Sequence, residues 1–503
     1  MLKALFADSS PDGAHQGWPR VPVDADVWRA IGEALREGKL DLLGLWGDLG
    51  AVQCVLYEPA TRQIASASLD ARSGKVPSLA PFHAPASRLE RAASDLFGLE
   101  FTGLPDRRPW LDHGRWPVQH PLAESSRPGA ILPPYQFLQA EGPSLHQIPV
   151  GPVHAGIIEP GHFRFTASGE TVVRLEERLG YTHKGIERLL CGKSIDAAAR
   201  LAARVSGDST VAYSLVFARA VEAALGSRPP PRALWLRAVM AELERIANHL
   251  GDVGAICNDA AFSMMHAECG ILREQTLRAC ASAFGHRLMM DLIVPGGVAA
   301  DLEPAGVAAI LALTEGLRGQ FPELVELYEN TASLQDRTVG TGIVSGALAA
   351  QFAAPGVVGR ASGRAFDARL SVPYAPYDAA PLQLAARSEG DVDARVWVRI
   401  QEIQHSIGWL ERALASLPDG PVREIVRAVP TSSVEGAALD EGFRGEVLGY
   451  VRLGVGRRIE RCHLRDPSWL LWPLLEAAIE GNIVADFPLC NKSFNCSYSG
   501  HDL

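Results

Sequence analysis

The stretch from Arg204 to Leu225 reads RVSGDSTVAYSLVFARAVEAAL and sets a short polar segment directly before an apolar, alanine-rich one. The polar residues Ser206-Gly207-Asp208-Ser209 are called the elbow below. Small polar side chains cap helix N-termini well, and the N-terminus of a helix favours negative charge. The sequence therefore predicts a helix that begins at the elbow and enters the protein core. Local chemistry alone gives the elbow no further function.

The composition of the 503-residue chain is that of an ordinary globular protein, with 47% hydrophobic and 21% charged residues. Its length predicts two or three domains. A formal net charge of −10 argues against a nucleic-acid-binding protein, because no basic surface is implied. No apolar run reaches the roughly 18–20 residues that span a bilayer, and the first residues do not resemble a secretory signal. We therefore expect a cytoplasmic chain that meets membranes only through partners.

The cysteines give no sign of a metal site by their spacing. None of the eight belongs to a Cys-x-x-Cys pair, so no zinc ribbon or iron–sulfur binding run is visible. In a cytosolic chain, such cysteines are expected to be buried free thiols.

The N-terminal third has the pattern of a small α/β domain, which we place at residues 1–120. Residues 25–40 have helical periodicity, and the segments AVQCVLYEP and QIASASLD alternate like strands of a half-buried sheet. The stretch 88–111 begins as a helix and then breaks into turns. Residues 121–150 are rich in Pro, Gly and Ser and are predicted to form a linker.

Residues 151–503 are predicted to form a mainly α-helical domain with a small β-hairpin subdomain. The alternation in HFRFTASGETVVRL predicts a hairpin that turns at Ser168-Gly169. Few strands are visible afterwards, so the fold class is an α+β N-terminal domain followed by a helical bundle. Long helical segments are predicted over 194–226, 232–287, 303–330, 392–417 and 468–480.

One face of the predicted helix 232–287 is strongly charged. It carries Glu242, Arg245, His249, Asp252 and Asp259. The pattern leaves two interpretations open. The face is either solvated, or it forms a polar track inside the bundle, where charges persist only if they are paired or hydrated.

The helix-and-turn stretch of the N-terminal domain carries a series of specific residues, namely Glu90-Arg91, Asp95, Phe97-Gly98, Phe101, Gly103, Pro105-Asp106, Arg107-Arg108 and Leu111. With this series it resembles the C subunit of bacterial respiratory complex I. The same domain begins the large subunit of formate-hydrogenlyase-type hydrogenases. The resemblance implies a structural domain that holds a large subunit against iron–sulfur partners.

Residues 151–503 carry an ordered series of motifs, which includes His154, Glu159-Pro160, His162-Phe163, Gly180-Tyr181, His183-Lys184-Gly185, Glu187, Glu242 to Ile246, His249-Leu250, Arg273-Glu274, Pro295 to Val298, Asp336-Arg337, Arg360 to Gly363, Pro373-Tyr374, Gly390-Asp391 and Arg465 to Ser468. With this series they resemble the D subunit of complex I and, more closely in the Glu-Pro-x-His-Phe element, the large subunit of membrane-bound [NiFe] hydrogenases. The resemblance implies the hydrogenase-large-subunit fold.

The hydrogenases of this family hold nickel with four thiolates from two Cys-x-x-Cys pairs, and this chain lacks those pairs. The first pair aligns with Ser206 and Ser209 of the elbow. Serine hydroxyls remain protonated near neutrality and are poor nickel ligands. We therefore expect no nickel centre and no hydrogen chemistry there. For the second pair two registers remain open, Ser497 with Gly500 or Cys496 with Ser499.

The complex I resemblance implies a quinone head-group pocket in the same place, and this site is also incomplete. Asp259 aligns with the aspartate of that pocket, whereas Gly207 takes the position of its tyrosine. His154 matches the first histidine of the loop motif, and the second is replaced near Ile158. Tyr213, one helical turn beyond the elbow, is a possible substitute tyrosine.

The resemblance implies a large subunit of a membrane-associated respiratory or energy-converting complex, such as an NADH:quinone oxidoreductase. Its expected partners are an iron–sulfur small subunit, a ferredoxin-like iron–sulfur subunit and ion-translocating membrane subunits, with no nucleic acid. We expect peripheral location on the inner face of the cytoplasmic membrane, with iron–sulfur clusters in the partners and no cofactor in this chain.

Three functions remain open for the degenerate site. It can couple electron transfer to ion translocation, reduce quinone or another acceptor, or belong to a non-catalytic scaffold. A true hydrogenase is disfavoured by the missing thiolates. The candidate polar and proton-transfer residues are Asp208, Asp259, Glu159, His154, His183 and His249.

Overall fold

A computed structural model describes residues 1–7, 10–155, 158–426 and 430–503 of the chain. Its N-terminal part confirms the predicted helix and both predicted strands. The elements of this part are α1 (Leu2–Leu5), β1 (His15–Gln16), β2 (Arg20–Val23), α2 (Ala25–Arg36), β3 (Asp41–Asp48), β4 (Ala51–Glu58), β5 (Gln63–Asp70), β6 (Lys75–Pro77), α3 (Ala86–Phe97), β7 (Glu100–Thr102), β8 (Val118–Gln119) and β9 (Arg127–Pro128).

The N-terminal sheet has the strand order β2-β5-β4-β3. Strand β4 is antiparallel to both β3 and β5, and β2 runs parallel to β5. Asp24 caps α2 by accepting the N–H groups of Asp26 and Val27, which is why this helix begins where it does. Its apolar face buries Trp28 and Ile31 in the core. The α/β character predicted from periodicity is therefore confirmed.

The C-terminal part is mainly helical. Its elements are β10 (Leu145–Val150), β11 (His162–Ser168), β12 (Thr171–Arg178), α4 (Ile186–Leu190), α5 (Ile195–Ala202), α6 (Thr210–Leu225), α7 (Pro231–Asp259), α8 (Ser263–Phe284), β13 (Ile293–Val294), β14 (Gly297–Val298), α9 (Pro304–Asn330), α10 (Ala332–Thr338), α11 (Gly346–Gln351), α12 (Gly356–Ala361), α13 (Ala368–Ser371), α14 (Val392–Ala415), β15 (Val434–Gly442), β16 (Gly445–Leu453), β17 (Ile459–Arg465), α15 (Ser468–Ala478), α16 (Phe487–Phe494) and α17 (Tyr498–Asp502).

Two of the long helices predicted from periodicity are each divided in the structure. The predicted helix 194–226 is interrupted at the elbow, where Ser206 has extended backbone and precedes a 3₁₀ turn. The predicted helix 232–287 ends at Asp259 because Ala261 adopts a left-handed conformation with φ of 64°. Helical periodicity continues across both breaks. The start of α6 directly after the elbow confirms the helix start predicted from its polar residues, whereas the break after Asp259 was not predicted.

The predicted hairpin is confirmed as β11 and β12, with Gly169 in the turn at φ of 59°. A third strand, β10, pairs with β11 so that Ile148 lies opposite Phe165 and Val150 opposite Phe163. The last residues of the segment predicted as a linker over 121–150 therefore belong to this sheet.

A four-stranded sheet in the C-terminal part was not anticipated from the sequence. Its order is β1-β15-β16-β17, so a strand from the beginning of the chain completes it. Helix α6 packs on β15 and β16 and is buried along nearly its whole length. This sheet and α6 hold the elbow in place from one side.

Among the described residues, no helix combines the length and apolar character needed to cross a bilayer. The cysteines are free thiols, all of them buried except the half-buried Cys191, as expected.

Candidate functional site

The elbow side chains converge on one carboxylate. Ser206 Oγ donates to Asp208 Oδ1 at 2.7 Å, and Ser209 Oγ donates to the same oxygen at 3.2 Å. The 3₁₀ turn over Gly207–Ser209 leads directly into α6. The elbow therefore places a negative centre beside the N-terminus of a long buried helix, where negative charge is stabilised.

Residues 495–503, called the C-terminal segment below, reach the elbow through Ser497. Its Oγ lies 3.1 Å from Ser206 Oγ, although the residues are 291 positions apart. The Ser497 hydroxyl also accepts the N–H of Gly500 at 2.9 Å, and the Ser497 N–H donates to Ser468 Oγ at 2.8 Å. The two segments aligned with the nickel-binding pairs thus lie together, and the register with Ser497 and Gly500 brings a hydroxyl to the elbow.

Arg444 bridges these two segments. Its Nη1 donates to Asp208 Oδ1 at 3.0 Å and to Ser209 Oγ at 2.9 Å, and its Nη2 donates to Asp208 Oδ2. Its Nε donates to the carbonyl oxygen of Asn495. The Arg444 side chain is 6% exposed, whereas that of Asp208 is 37% exposed. The ion pair therefore lies at the edge of the core rather than in its centre.

The ion pair fixes the charge of both partners. Burial would raise the pKa of Asp208, but the Arg444 guanidinium and the serine hydroxyls outweigh burial and lower that pKa to about 2. The same contact raises the pKa of Arg444 above its ordinary value. Asp208, a candidate proton-transfer residue, is therefore a permanent anion near neutral pH.

Sequence reasoning missed Arg444. It lies with Phe443 in the two-residue turn between Gly442 of β15 and Gly445 of β16. Such hairpin turns are commonly exposed, but here both turn residues are buried. In the sequence, Arg444 is marked only by its place in the turn between Gly442 and Gly445. This place does not predict a partner in the elbow.

Gly500 has no room for a side chain. A Cβ atom there would lie 2.3 Å from Asp466 Oδ2 and 2.8 Å from Ser497 Oγ. Asp466 is held by Tyr213, whose hydroxyl donates to Oδ2 at 2.5 Å, and by the N–H of Ser468 on Oδ1 at 2.8 Å. The hydroxyl of Tyr213 is thus already committed in the core, which disfavours its use as a quinone-binding tyrosine.

Glu159 and Cys496 lie beside the C-terminal segment. Glu159 Oε2 accepts the N–H of Ser499 at 3.0 Å. Cys496 is buried, and burial raises the pKa of its thiol well above the ordinary value. Cys496 is therefore a neutral thiol near neutral pH rather than a thiolate ligand.

The candidate residues His154 and His183, near the start of the C-terminal part, have separate partners. His183 Nδ1 lies 2.7 Å from the carbonyl oxygen of Asp502, whose carboxylate also accepts the N–H of Thr182 at 2.9 Å. His154 Nε2 lies 2.7 Å from the carbonyl oxygen of Gly161. His183 therefore clasps the C-terminal segment, whereas His154 orders its own loop.

His249 belongs to a buried ionic network between α7 and α14. Its Nε2 lies 2.9 Å from Glu402 Oε2, which also accepts from Arg245 Nη1 at 3.0 Å, while Arg360 Nη2 donates to Glu402 Oε1 at 2.6 Å. The solvated interpretation of the charged face is wrong, because the charges are paired inside the bundle. The buried members of that face are Glu242, Arg245, His249 and Asp252.

Asp259 lies at the C-terminal end of α7 and is half-buried. Burial raises its pKa, and the positive charge of Lys492 partly opposes this effect. Among the described residues, no hydrogen bond joins Asp259 or His249 to the elbow. The structure thus brings Asp208, Glu159 and His183 to the C-terminal segment, and among the described residues none of these three is hydrogen-bonded to the two candidates on α7.

The donor set at the elbow does not fit nickel. In one register the four aligned positions are Ser206, Ser209, Ser497 and Gly500. In the other, Cys496 and Ser499 replace the last two, and the only thiol is the buried, neutral Cys496. Neutral hydroxyls are hard, weak donors, and the bonded guanidinium of Arg444 opposes a second cation at the same place. In the part of the chain that the structure describes, no group of three or more His, Cys, Asp or Glu side chains is arranged to hold a metal ion.

Two cavities border the candidate residues. The one beside Asp208 measures about 10 Å³, about enough for one water molecule. A larger, mostly apolar cavity of about 320 Å³ lies between the N-terminal and C-terminal parts, next to Trp116, His183 and Lys184. A cavity of the second size can hold an organic ligand, whereas the first cannot.

Comparison with known proteins matches the two halves of the chain to two subunit families of one enzyme complex, the respiratory-chain NADH dehydrogenase. Residues 22–129 match the family "Respiratory-chain NADH dehydrogenase, 30 Kd subunit", and residues 260–433 match the "49 Kd subunit" family. The first of these ranges begins within β2 and ends just after β9, and the second begins just after α7 and includes α8 to α14.

Curated relatives resemble nearly the whole chain. Formate hydrogenlyase subunit 5 of Escherichia coli is 30% identical over 86% of this chain and 78% of its own length. Hydrogenase-4 component G of the same organism is 32% identical over 87% of this chain and 78% of its own length. The C/D subunit of the NADH-quinone oxidoreductase of Bacteroides thetaiotaomicron is 27% identical over 84% of each chain. This chain therefore belongs to the family of oxidoreductase large subunits in which 30 Kd-type and 49 Kd-type domains are joined, shared by complex I-like and formate hydrogenlyase-like complexes.

Proposed function

We propose that this chain is the large subunit of a membrane-associated energy-converting complex and that it has no nickel site of its own. Its partners are an iron–sulfur small subunit, a ferredoxin-like iron–sulfur subunit and ion-translocating membrane subunits, at the inner face of the cytoplasmic membrane. The chain couples electron transfer through the iron–sulfur partners to ion movement through the membrane partners.

The observation that carries this proposal is the ion pair between Asp208 and Arg444 at the place where the family resemblance implies nickel. Arg444 also ties the elbow to the C-terminal segment, because it donates to Ser209 Oγ and to the carbonyl oxygen of Asn495. A charged pair that joins two segments is a suitable coupling element, because a change of charge nearby alters how strongly the pair holds the two segments together. The site thus acts through electrostatics and conformation rather than through a bound metal.

Metal analysis of the intact purified complex tests the first part. We expect iron from the partner clusters, no stoichiometric nickel, and no hydrogen uptake or evolution that depends on this chain. Nickel at one atom per large subunit would overturn the proposal.

Ion translocation by the complex in sealed vesicles tests the second part. We expect Asp208→Asn to lower the number of ions moved per turnover, because a neutral amide loses the charge that holds Arg444. Asp419→Asn changes an exposed carboxylate and is the matched control. Unchanged coupling in Asp208→Asn and in Asp259→Asn would favour a structural scaffold instead.

A second candidate function is the two-electron, two-proton reduction of a quinone to a quinol, with electrons from a partner cluster. The mostly apolar cavity of about 320 Å³ next to Trp116 and His183 is the observation that favours it. A quinone carrying a photoreactive group, applied to the intact complex, tests this function. Labelling of residues that line this cavity would support it, and labelling confined to other subunits would exclude it.

A further inference from the structure

Glu244 is a buried carboxyl group at the N-terminal end of α6, contributed by the neighbouring helix α7. Its Oε2 accepts the N–H of Val211 at 2.7 Å, and its Oε1 accepts the N–H of Ala212 at 3.2 Å. Both amides belong to the first turn of α6, directly after the elbow. Glu244 is thus bonded to the same helix N-terminus that Asp208 precedes.

A water-sized cavity connects Glu244 with the elbow. The cavity of about 10 Å³ is bordered by Glu244, Asp208, Asn248, Arg273 and Arg287. Asn248 Nδ2 donates to the carbonyl oxygens of Asp208 at 2.8 Å and Glu244 at 2.9 Å. The side chain of Arg287 is 49% exposed, so this wall of the cavity reaches solvent. A water molecule here would have polar partners on several sides.

Glu244 and Asp208 differ sharply in their ionisation. Burial raises the pKa of Glu244 to about 8, although the two amide hydrogen bonds partly oppose it. The charge of Asp208 raises that pKa further, and Arg245 lowers it. The other titratable and charged groups around the cavity are Arg273, Cys280, Arg287 and, paired with Arg287, Glu274.

We propose that Glu244 is a proton-exchanging group beside the elbow, which takes up and releases its proton by way of the cavity that it shares with Asp208. The proton leaves a carboxyl oxygen of Glu244 for a water molecule in the cavity and passes to solvent beside Arg287, and no electrons move in this step. Asp208 remains ionised and serves as the fixed charge that responds to the state of Glu244. This inference rests on the proposed coupling function.

The competing role for Glu244 is purely structural, as a cap for α6. Glu244→Gln separates the two roles, because glutamine keeps an oxygen that accepts amide hydrogen bonds but cannot release a proton. Asp391→Asn is the matched control. Asp391 is also buried, accepts the N–H of Ala394 at 2.8 Å to cap α14, and accepts the N–H of Gly340 at 2.7 Å.

Two measurements on the intact complex test the proposal. The first is a pH titration followed by infrared difference spectroscopy of protonated carboxyl groups, which needs no turnover. We expect a carboxyl band that titrates near pH 8 in the parent, is absent in Glu244→Gln and persists in Asp391→Asn. The second is the pH profile of turnover, in which Glu244→Gln should slow ion-coupled turnover about 10²-fold and flatten its pH dependence.

Each outcome decides between the two roles. An infrared band that remains in Glu244→Gln would overturn the proposal, and so would loss of the band with an unchanged pH profile. Equal effects of Glu244→Gln and Asp391→Asn on the profile would also overturn it, because capping alone would then explain both. Failure of the coupling function itself appears separately, in the nickel and ion-translocation measurements.

Discussion

Arg444 reaches Asp208 across 236 positions of sequence and holds both of its carboxylate oxygens. A bidentate pair of this kind fixes orientation as well as charge. In this chain it joins a hairpin turn, a helix N-terminus and the C-terminal segment at one point. The elbow is therefore organised around a permanent charge pair.

The first prediction concerns the acid stability that this ion pair provides. Because the pKa of Asp208 is lowered to about 2 in the folded protein, its contribution is present above the ordinary carboxyl range and is lost as pH falls from about 4 to about 2. We expect Asp208→Asn to cost about 1 kcal/mol at pH 7, a modest value because the carboxylate is partly exposed. The Tm difference between parent and variant should shrink below pH 4. A difference that stays constant down to pH 2 would contradict this assignment.

The second prediction concerns Gly500, which in one register aligns with a nickel-binding cysteine of the hydrogenases. Gly500→Ala forces a Cβ atom to within 2.3 Å of Asp466 Oδ2, so either Asp466 or the C-terminal segment must move. We expect a loss of about 1–3 kcal/mol, measured by denaturant unfolding. Gly207→Ala is the control, since a Cβ atom there meets nothing within 4 Å. Equal stabilities of the two variants would show that the C-terminal segment packs differently.

The third prediction concerns Arg88, which joins the N-terminal and C-terminal parts. It lies 3.2 Å from Glu177 Oε2 and 2.7 Å from Glu476 Oε1. Burial raises the pKa of both carboxyls, and the charge of Glu476 raises that of Glu177 further. Arg88→Met leaves two carboxyls without their cation, so we expect a loss of about 3–5 kcal/mol at pH 8.

The loss caused by Arg88→Met should be smaller at pH 5, because protonation then removes the uncompensated charges. The reason is that the folded variant binds protons more tightly than the unfolded chain, so its stability falls as pH rises. Denaturant unfolding at both pH values checks this difference. Arg29→Met, at an exposed pair on α2, should change stability little at either pH and serves as the control.

The fourth prediction concerns the pH dependence that Glu244 gives to folding. Its pKa of about 8 in the folded protein lies above the ordinary carboxyl value, so its favourable contribution is full at low pH and is lost as pH rises toward 8. Between about pH 5 and pH 8 we expect the parent to lose stability that the Glu244→Gln variant does not lose. The free energy of unfolding of the variant should therefore rise relative to that of the parent, by a few kcal/mol. Parallel curves for the two proteins would mean that Glu244 is ionised throughout.

The sequence predicted those elements whose pattern repeats locally. Helix α9 was expected over 303–330 and spans Pro304–Asn330, because its apolar stripe and its initial proline act within one helix. The sheet of β15 to β17 was missed because β15 is buried on both faces and carries the charged residues Asp440 and Glu441. Those charges are tolerated through Arg219 and Arg360, which come from distant parts of the chain.

The candidate site was predictable only as far as the family resemblance extends. That resemblance aligned the elbow and the C-terminal segment with one site, and the contact between Ser206 and Ser497 agrees with it. It could not supply Arg444, because no spacing rule links a hairpin turn to a helix cap 236 positions away. Glu244 lies within the family motif from Glu242 to Ile246, but its own role was overlooked because its partners are backbone amides.

The parallel pairing of β1 with β15 has a consequence for how the two halves stay together. His15 lies opposite Glu435 and Gln16 opposite Gly436, so β1 is an edge strand of a sheet whose other strands, β15 to β17, come from the last part of the chain. Cutting the chain in the exposed segment 124–131 would leave two fragments still tied by this strand. Joined as one polypeptide, the halves are made in a one-to-one ratio and meet at high effective concentration, so neither must find the other by diffusion.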